Sequence, residues 1–195
     1  TRDFVKEGLL YDLTDVIGEY VDLDDVVDSS MMKMTIYDEN NDPHLYGMDV
    51  VQVGPVIFYN QDLFAAAGVE AMPTKEDERW TWDEFVDNMK KLTIVKDGKT
   101  VQYGTCNWEE NINYYVLEYS LRLNGAKWFN DDFTQAVGVV SDETKEVFQN
   151  IKALRTEYGI APDPNAVGSE TGNSPTQMFL TGQVATIAVG SYALQ

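Results

Sequence analysis

Val50-Val51-Gln52-Val53-Gly54-Pro55-Val56-Ile57-Phe58-Tyr59-Asn60-Gln61-Asp62-Leu63-Phe64 is the stretch from which the fold is read. Val50 to Tyr59 is rich in β-branched and aromatic residues, the composition of a strand. Gly54-Pro55 interrupts it, and proline has no N–H to give to a sheet ladder, so a long strand broken there changes partners. Asn60 then offers its side chain as an N-cap, Asp62, Leu63, Phe64 and Ala67 continue as a helix, and Gly68 closes that helix in the left-handed position. A strand that runs straight into a capped helix is the working unit of an α/β fold.

The pattern continues downstream. Thr81-Trp82-Asp83-Glu84 is a capping box, flanked by Trp80 and Phe85 as a hydrophobic staple. Phe85, Met89 and Leu92 recur at helical spacing, and Asp97-Gly98 turns the chain into an extended Val101 to Cys106. Ile112, Tyr115, Val116, Tyr119 and Leu123 share one helical face, closed by Asn124-Gly125, and Trp128 beside Phe129 is expected in the core of a hairpin. Ser141 caps a helix through Val147, Ile151, Leu154 and Tyr158, which ends at Gly159 before Pro162. Ser174-Pro175-Thr176-Gln177 opens a short helix through Met178, Phe179 and Leu180, and after Gly182 the run Val184 to Val189 is a strand. Trp80, Tyr115 and Tyr119 are taken as core residues, and Cys106 as a small buried hydrophobe.

Upstream, Leu13 to Val21 is expected as a short helix and Lys33 to Tyr37 as a strand. Asp38 to Pro43 is a turn-rich loop leading to Leu45-Tyr46-Gly47, which makes the region a hairpin. Asp38, Asn40 and Asp42 are spaced like the start of a calcium loop, but Pro43 stands where such a loop requires glycine, so no metal site is expected. His44 is taken as a solvated turn residue.

Composition narrows the function. The 195 residues are 44% hydrophobic and 12% aromatic, enough for a sizeable core. Thirty-three acidic residues against fourteen basic ones give a formal charge of −19. That field repels phosphate backbones and anionic lipid surfaces, so nucleic acid is not a partner. With one cysteine and one histidine, an intramolecular disulfide is impossible and the usual zinc ligand sets are out of reach. No apolar run is long enough to span a bilayer.

Catalytic signatures are missing as well. Any triad would need His44, no G-x-S-x-G elbow occurs, and neither a G-x-G-x-x-G nor a Walker loop is present. Glu109-Glu110 after Trp108 has the residue types of a glycosidase pair, but adjacent carboxylates are common in so acidic a chain. Neither a cofactor nor a catalytic residue is expected.

Several motifs occur together and in order: Tyr46-Gly47, Gly54-Pro55-Val56-Ile57-Phe58-Tyr59-Asn60-Gln61-Asp62-Leu63-Phe64, Ala67-Gly68, Trp82-Asp83-Glu84-Phe85, Asp97-Gly98-Lys99, Tyr103-Gly104, Asn124-Gly125, Phe179-Leu180-Thr181-Gly182-Gln183-Val184-Ala185 and Gly190-Ser191-Tyr192. Gly8-Leu9-Leu10-Tyr11-Asp12-Leu13-Thr14 precedes them. In this order the chain resembles the family-1 extracellular solute-binding proteins of bacterial ABC importers, in their sugar-binding, maltose-binding-protein-like group. The resemblance implies a two-lobed α/β clamp of the periplasmic-binding-protein type II kind. Residues 1–53 would be part of the first lobe and 54–195 most of the second, with a crossing strand near 50–59.

It also implies a solute site. Tyr192 falls where many members place a tryptophan that stacks on sugar, Asn107, Trp108, Glu109 and Tyr114 fall in the loop and helix start that lean into the cleft, and Gly54 lies at the crossing. Val53 stands where a maltose-binding member carries a carboxylate, so the particular sugar is left open. The implied partners are a carbohydrate and the permease subunits of the importer, outside the cytoplasm, with membrane contact only through a lipid anchor beyond these residues. Closure of the two lobes on the ligand would be the signal to the transporter. A glycoside hydrolase, an adhesion module and a clamp for a polyamine or other solute stay open as alternatives.

Overall fold

In a computed structural model the described residues are 2–26, 34–48, 54–108, 114–130, 135–138, 141–163, 167 and 174–194. The chain divides into two compact units, Thr1–Val53 and Gly54–Gln195.

The first unit begins with helix α1, Arg2–Lys6, and holds a two-stranded antiparallel hairpin of β1, Thr35–Tyr37, and β2, Pro43–Leu45, in which Ile36 faces His44. Asp38 closes the hairpin loop by accepting from the backbone N–H groups of Asn40 and Asp42, at 2.9 and 2.8 Å. The carboxylate that would open a calcium loop is thus committed to its own turn.

His44 is not a solvated turn residue. It lies in β2, half-buried, with its Nδ1 on the Asp12 carboxylate and its Nε2 3.9 Å from Asp38. The segment before it differs too. Where a helix over Leu13 to Val21 was expected, a turn leads into a short 3-10 helix, Ile17–Glu19. Asp12 accepts from the backbone and hydroxyl of Thr14, the Thr14 hydroxyl also accepts from the Leu45 N–H, and Leu13 N–H donates to the Leu45 carbonyl at 2.7 Å. Those bonds take the groups a helix start would use, and Gly18 lowers the helix propensity of the residues around it.

The second unit is built on a four-stranded sheet of β3, Pro55–Tyr59, β4, Ile94–Lys96, β5, Lys99–Cys106, and β6, Val184–Gly190, in the order β3-β6-β5-β4. β3 is antiparallel to β6, β6 parallel to β5, and β5 antiparallel to β4. Pro55 is the first residue of the edge strand β3, where its missing N–H costs no rung. β6 is buried along its whole length, as a strand between two neighbours requires, and its one polar side chain, Thr186, donates to the Gly104 carbonyl at 3.0 Å. The upstream half of the broken strand, residues 50–53, lies outside the described residues.

Helix α2, Gln61–Ala67, is capped by Asn60, whose side chain accepts from Asp62 and Leu63, and stops at Gly68 with φ 65°. Helix α3, Trp82–Leu92, carries the complete Thr81–Glu84 capping box. Phe64, Phe85, Val86, Met89 and Leu92 from these helices pack with Leu154, Ile160 and Ala185 into one cluster, with Trp80 partly buried against it. At Gly104 of β5 the helix comes so close that a Cβ would stand 2.3 Å from the Met89 carbonyl oxygen. A second cluster holds Cys106, Val167, Met178, Val184, Ile187 and Val189; Met178 comes from helix α6, Pro175–Leu180, which Ser174 caps.

Helix α4, Tyr114–Leu123, and helix α5, Asp142–Thr156, capped by Ser141, pack together through Leu117, Leu121, Val147 and Ile151. Here the expected face of α4 is corrected. Val116, Leu117 and Leu121 are buried, whereas Tyr119 is 47% and Leu123 76% exposed, because the stripe is set by the partner helix and lies one position round from the aromatic one. Trp128 is partly buried against this cluster beside the Phe129–Ala136 bridge, in the hairpin expected for it.

Candidate functional site

β5 and β6 are parallel, with Cys106 level with Ile187, so both strands end at the same edge of the sheet. β3 starts at that edge, since Pro55 pairs with Gly190. Asn107 and Trp108 leave β5 there, Ser191 and Tyr192 leave β6, and Gly54 enters β3. The carboxyl end of parallel strands is where open α/β sheets bind ligands, because loops diverge there and leave a crevice.

Each side chain has a distinct setting. Tyr192 sits in a 3-10 turn, Ser191–Leu194, and is 54% exposed. Its turn is fixed by two bonds to the neighbouring strand start: Ser191 N–H donates to the Gly54 carbonyl at 2.8 Å, and Gly54 N–H donates to the Ser191 hydroxyl at 3.3 Å. The role of Gly54 here is carried by its backbone. The result is a planar ring held on a tethered turn and open to solvent.

Trp108 is placed differently. Its indole N–H donates to the hydroxyl of the fully buried Thr105 at 2.7 Å, and its ring meets Trp82 and Phe85 edge-on at centroid distances of 5.8 and 5.4 Å. It bridges two of the apolar clusters and is half-buried. Asn107 has φ 70° and donates its side-chain amide to the Ala188 carbonyl on β6 at 2.7 Å. Sequence reasoning missed both internal bonds. The only local signal was an asparagine at a strand end, a residue that tolerates left-handed backbone.

Four of the residues picked from the sequence therefore bear on this edge. Asn107, Trp108, Tyr192 and Gly54 are brought together at it, and Tyr114 is the first residue of α4. Glu109 lies outside the described residues. Among the described residues no group of three His, Cys, Asp or Glu side chains is arranged to hold a metal ion, and no helix is long and apolar enough to cross a membrane.

Residues 1–195 match the family described as "Bacterial extracellular solute-binding protein". The ABC substrate-binding protein Lmo0181 from Listeria monocytogenes, solved in complex with cycloalternan, superposes with a TM-score of 0.76 at 29% identity, over 96% of this chain and 44% of that one. UgpB from Mycobacterium tuberculosis, in complex with glycerophosphocholine, gives 0.73 at 19% identity over 98% and 43%. Maltose-bound MalE3 of T. maritima gives 0.69 at 20% over 94% and 42%. At their identities the last two show the fold alone. The chain spans less than half the length of each of these proteins. No curated protein matches it.

Proposed function

Because this chain belongs to the bacterial extracellular solute-binding proteins, we propose that the full-length protein captures a sugar or oligosaccharide between two lobes and delivers it to an ABC importer. Residues 1–53 contribute part of the first lobe in this reading, and 54–195 most of the second. The protein binds its solute without transforming it.

The observation that carries the proposal is Tyr192, a flat ring 54% exposed on a turn tied to the strand beside it, at the carboxyl edge of the sheet. A sugar has apolar C–H faces and a rim of hydroxyls, so it needs a ring to lie on and polar groups around it. Covering roughly 60 to 100 Å² of apolar surface on such a ring contributes about 1.5 to 2.5 kcal/mol. Hydrogen bonds at about 0.5 to 1.5 kcal/mol each supply the rest of a micromolar affinity. Glu109 and the hydroxyl of Tyr114 are our candidates for those bonds, with the Gly54 backbone at the rim. Trp108 contributes the part of its ring that packing leaves open. Asn107 borders the set with its amide nitrogen committed to Ala188. The complex of Lmo0181 with cycloalternan supports a carbohydrate as the solute class.

The test is a thermal-shift panel of sugars on the full-length protein, with a polyamine included because the charge of −19 would favour a cation. A ligand that binds only the folded state raises Tm as its concentration passes Kd. We expect a carbohydrate to raise Tm and to be recovered intact. A shift with the polyamine alone would contradict the sugar reading, and cleavage of the sugar would contradict the binding one.

A further inference from the structure

Asn107 does more at the sheet edge than border it. Asn60 N–H donates to the Ala185 carbonyl across the antiparallel β3–β6 pair. Bonded and non-bonded pairs alternate along such a ladder, so the Ala188 carbonyl faces the other way, toward β5. β5 ends at Cys106, level with Ile187, and among the described residues no backbone N–H past it meets that carbonyl, Asn107 taking φ 70°. Its own side-chain amide supplies that donor instead, at 2.7 Å. One residue thus makes the left-handed turn and adds a rung past the end of the strand.

The consequence falls on its neighbour. The turn folds Trp108 back so that its N–H reaches Thr105, three residues earlier, and its ring lands on Trp82 and Phe85. The rung fixes that turn against β6 two residues before the strand ends at Gly190, where Ser191 and Tyr192 follow. Few side chains meet both demands. Glycine makes the turn without the bond, aspartate makes the turn but offers an acceptor to a carbonyl, and alanine does neither.

We propose that Asn107 is a positioning residue of the solute site: its turn and its amide bond to Ala188 fix Trp108, and the chain leaving β5, relative to Tyr192. This rests on the reading of the edge as a solute site. The geometry sets affinity through placement, since a contact displaced by an ångström loses most of its value.

The experiment uses the full-length protein with Asn107→Gly, Asn107→Asp and, as a control, Asn60→Ala, which removes a helix cap remote from the edge. Calorimetric titration with the sugar found in the panel gives affinity, and iodide quenching of the emission lost in Trp108→Phe reports that indole. We expect about tenfold weaker binding and a more quenchable, red-shifted Trp108 in both Asn107 variants. Asn60→Ala should lower Tm comparably and leave affinity and quenching as in the wild type. If the Asn107 variants bind as the wild type does, or if the Asn60→Ala protein weakens equally, the positioning role is overturned. A wild-type protein that takes up no sugar overturns the solute reading instead, while unchanged quenching in Asn107→Gly rejects the positioning of Trp108 by Asn107 independently of any ligand.

Discussion

The two units, Thr1–Val53 and Gly54–Gln195, are each stabilised internally in a different way. Among the described residues of the first, Leu45 alone is buried, and the contacts that join its distant segments are polar: Asp12 with His44, Thr14 with Leu45, and Leu13 with Leu45. The second unit has three apolar clusters around and beside a sheet. Apolar burial is indifferent to ionisation and scales with area, whereas a half-exposed ionic contact depends on pH and is weakened by salt. The candidate site stands on the better-packed unit, which suits a geometry that must hold still.

The largest blow to the second unit should be Leu154→Ala. Leu154 is 1% exposed in the main cluster, so truncation leaves a cavity and costs about 2 to 5 kcal/mol, readable from a urea midpoint at constant m. Gly104→Ala should come next, at about 1 to 3 kcal/mol, because the added methyl meets the Met89 carbonyl oxygen and must push α3 off the sheet. Thr81→Ala removes the hydroxyl of the capping box and should cost about 1 kcal/mol in the same assay. A smaller loss for Leu154→Ala than for Thr81→Ala would contradict the claim that apolar packing is what holds the second unit.

The smallest expected effect lies in the first unit and depends on pH. His44 is raised above its usual value, chiefly by its hydrogen bond to Asp12. Asp12 is held down at about 2, first by the Thr14 hydroxyl and backbone and then by His44, and Asp38 is lowered chiefly by the Asp42 N–H. The stabilisation from His44 is fully present below about pH 6.5 and is lost as pH rises through its raised folded value. The part from Asp12 is present above its ordinary value of 3.8 and is lost as pH falls toward about 2. Amide exchange at Leu13 and Leu45, corrected for intrinsic rates, should therefore show more opening at pH 9 than at pH 5. The difference should vanish in His44→Gln. Equal protection at both values would remove the ionic account of this unit.

What could be read from the sequence was local. The Asn60 and Ser141 caps, the Thr81–Glu84 box and the unbroken β6 run each depend on residues within one element, and all stand in the structure. Cys106 is buried, as its setting in an apolar strand implies. What escaped was set over distance. His44 meets a carboxylate thirty-two positions earlier and Asn107 a carbonyl eighty-one positions later, and neither spacing leaves a periodic trace. The face of α4 was misjudged for a related reason: Tyr119 and Leu117 are equally apolar by pattern, and only the packing of α5 chooses between them. At the site, residue types pointed to Trp108 and Tyr192 alike, while the structure separates a packed indole from an open phenol ring.

That separation makes Tyr192 the residue on which the solute reading is most exposed to test. Calorimetric titration of the full-length wild type, Tyr192→Phe and Tyr192→Ala with one sugar measures it directly. Stacking predicts that phenylalanine keeps most of the affinity and that alanine weakens it about tenfold or more. Affinity in Tyr192→Ala equal to that of the wild type would contradict the account.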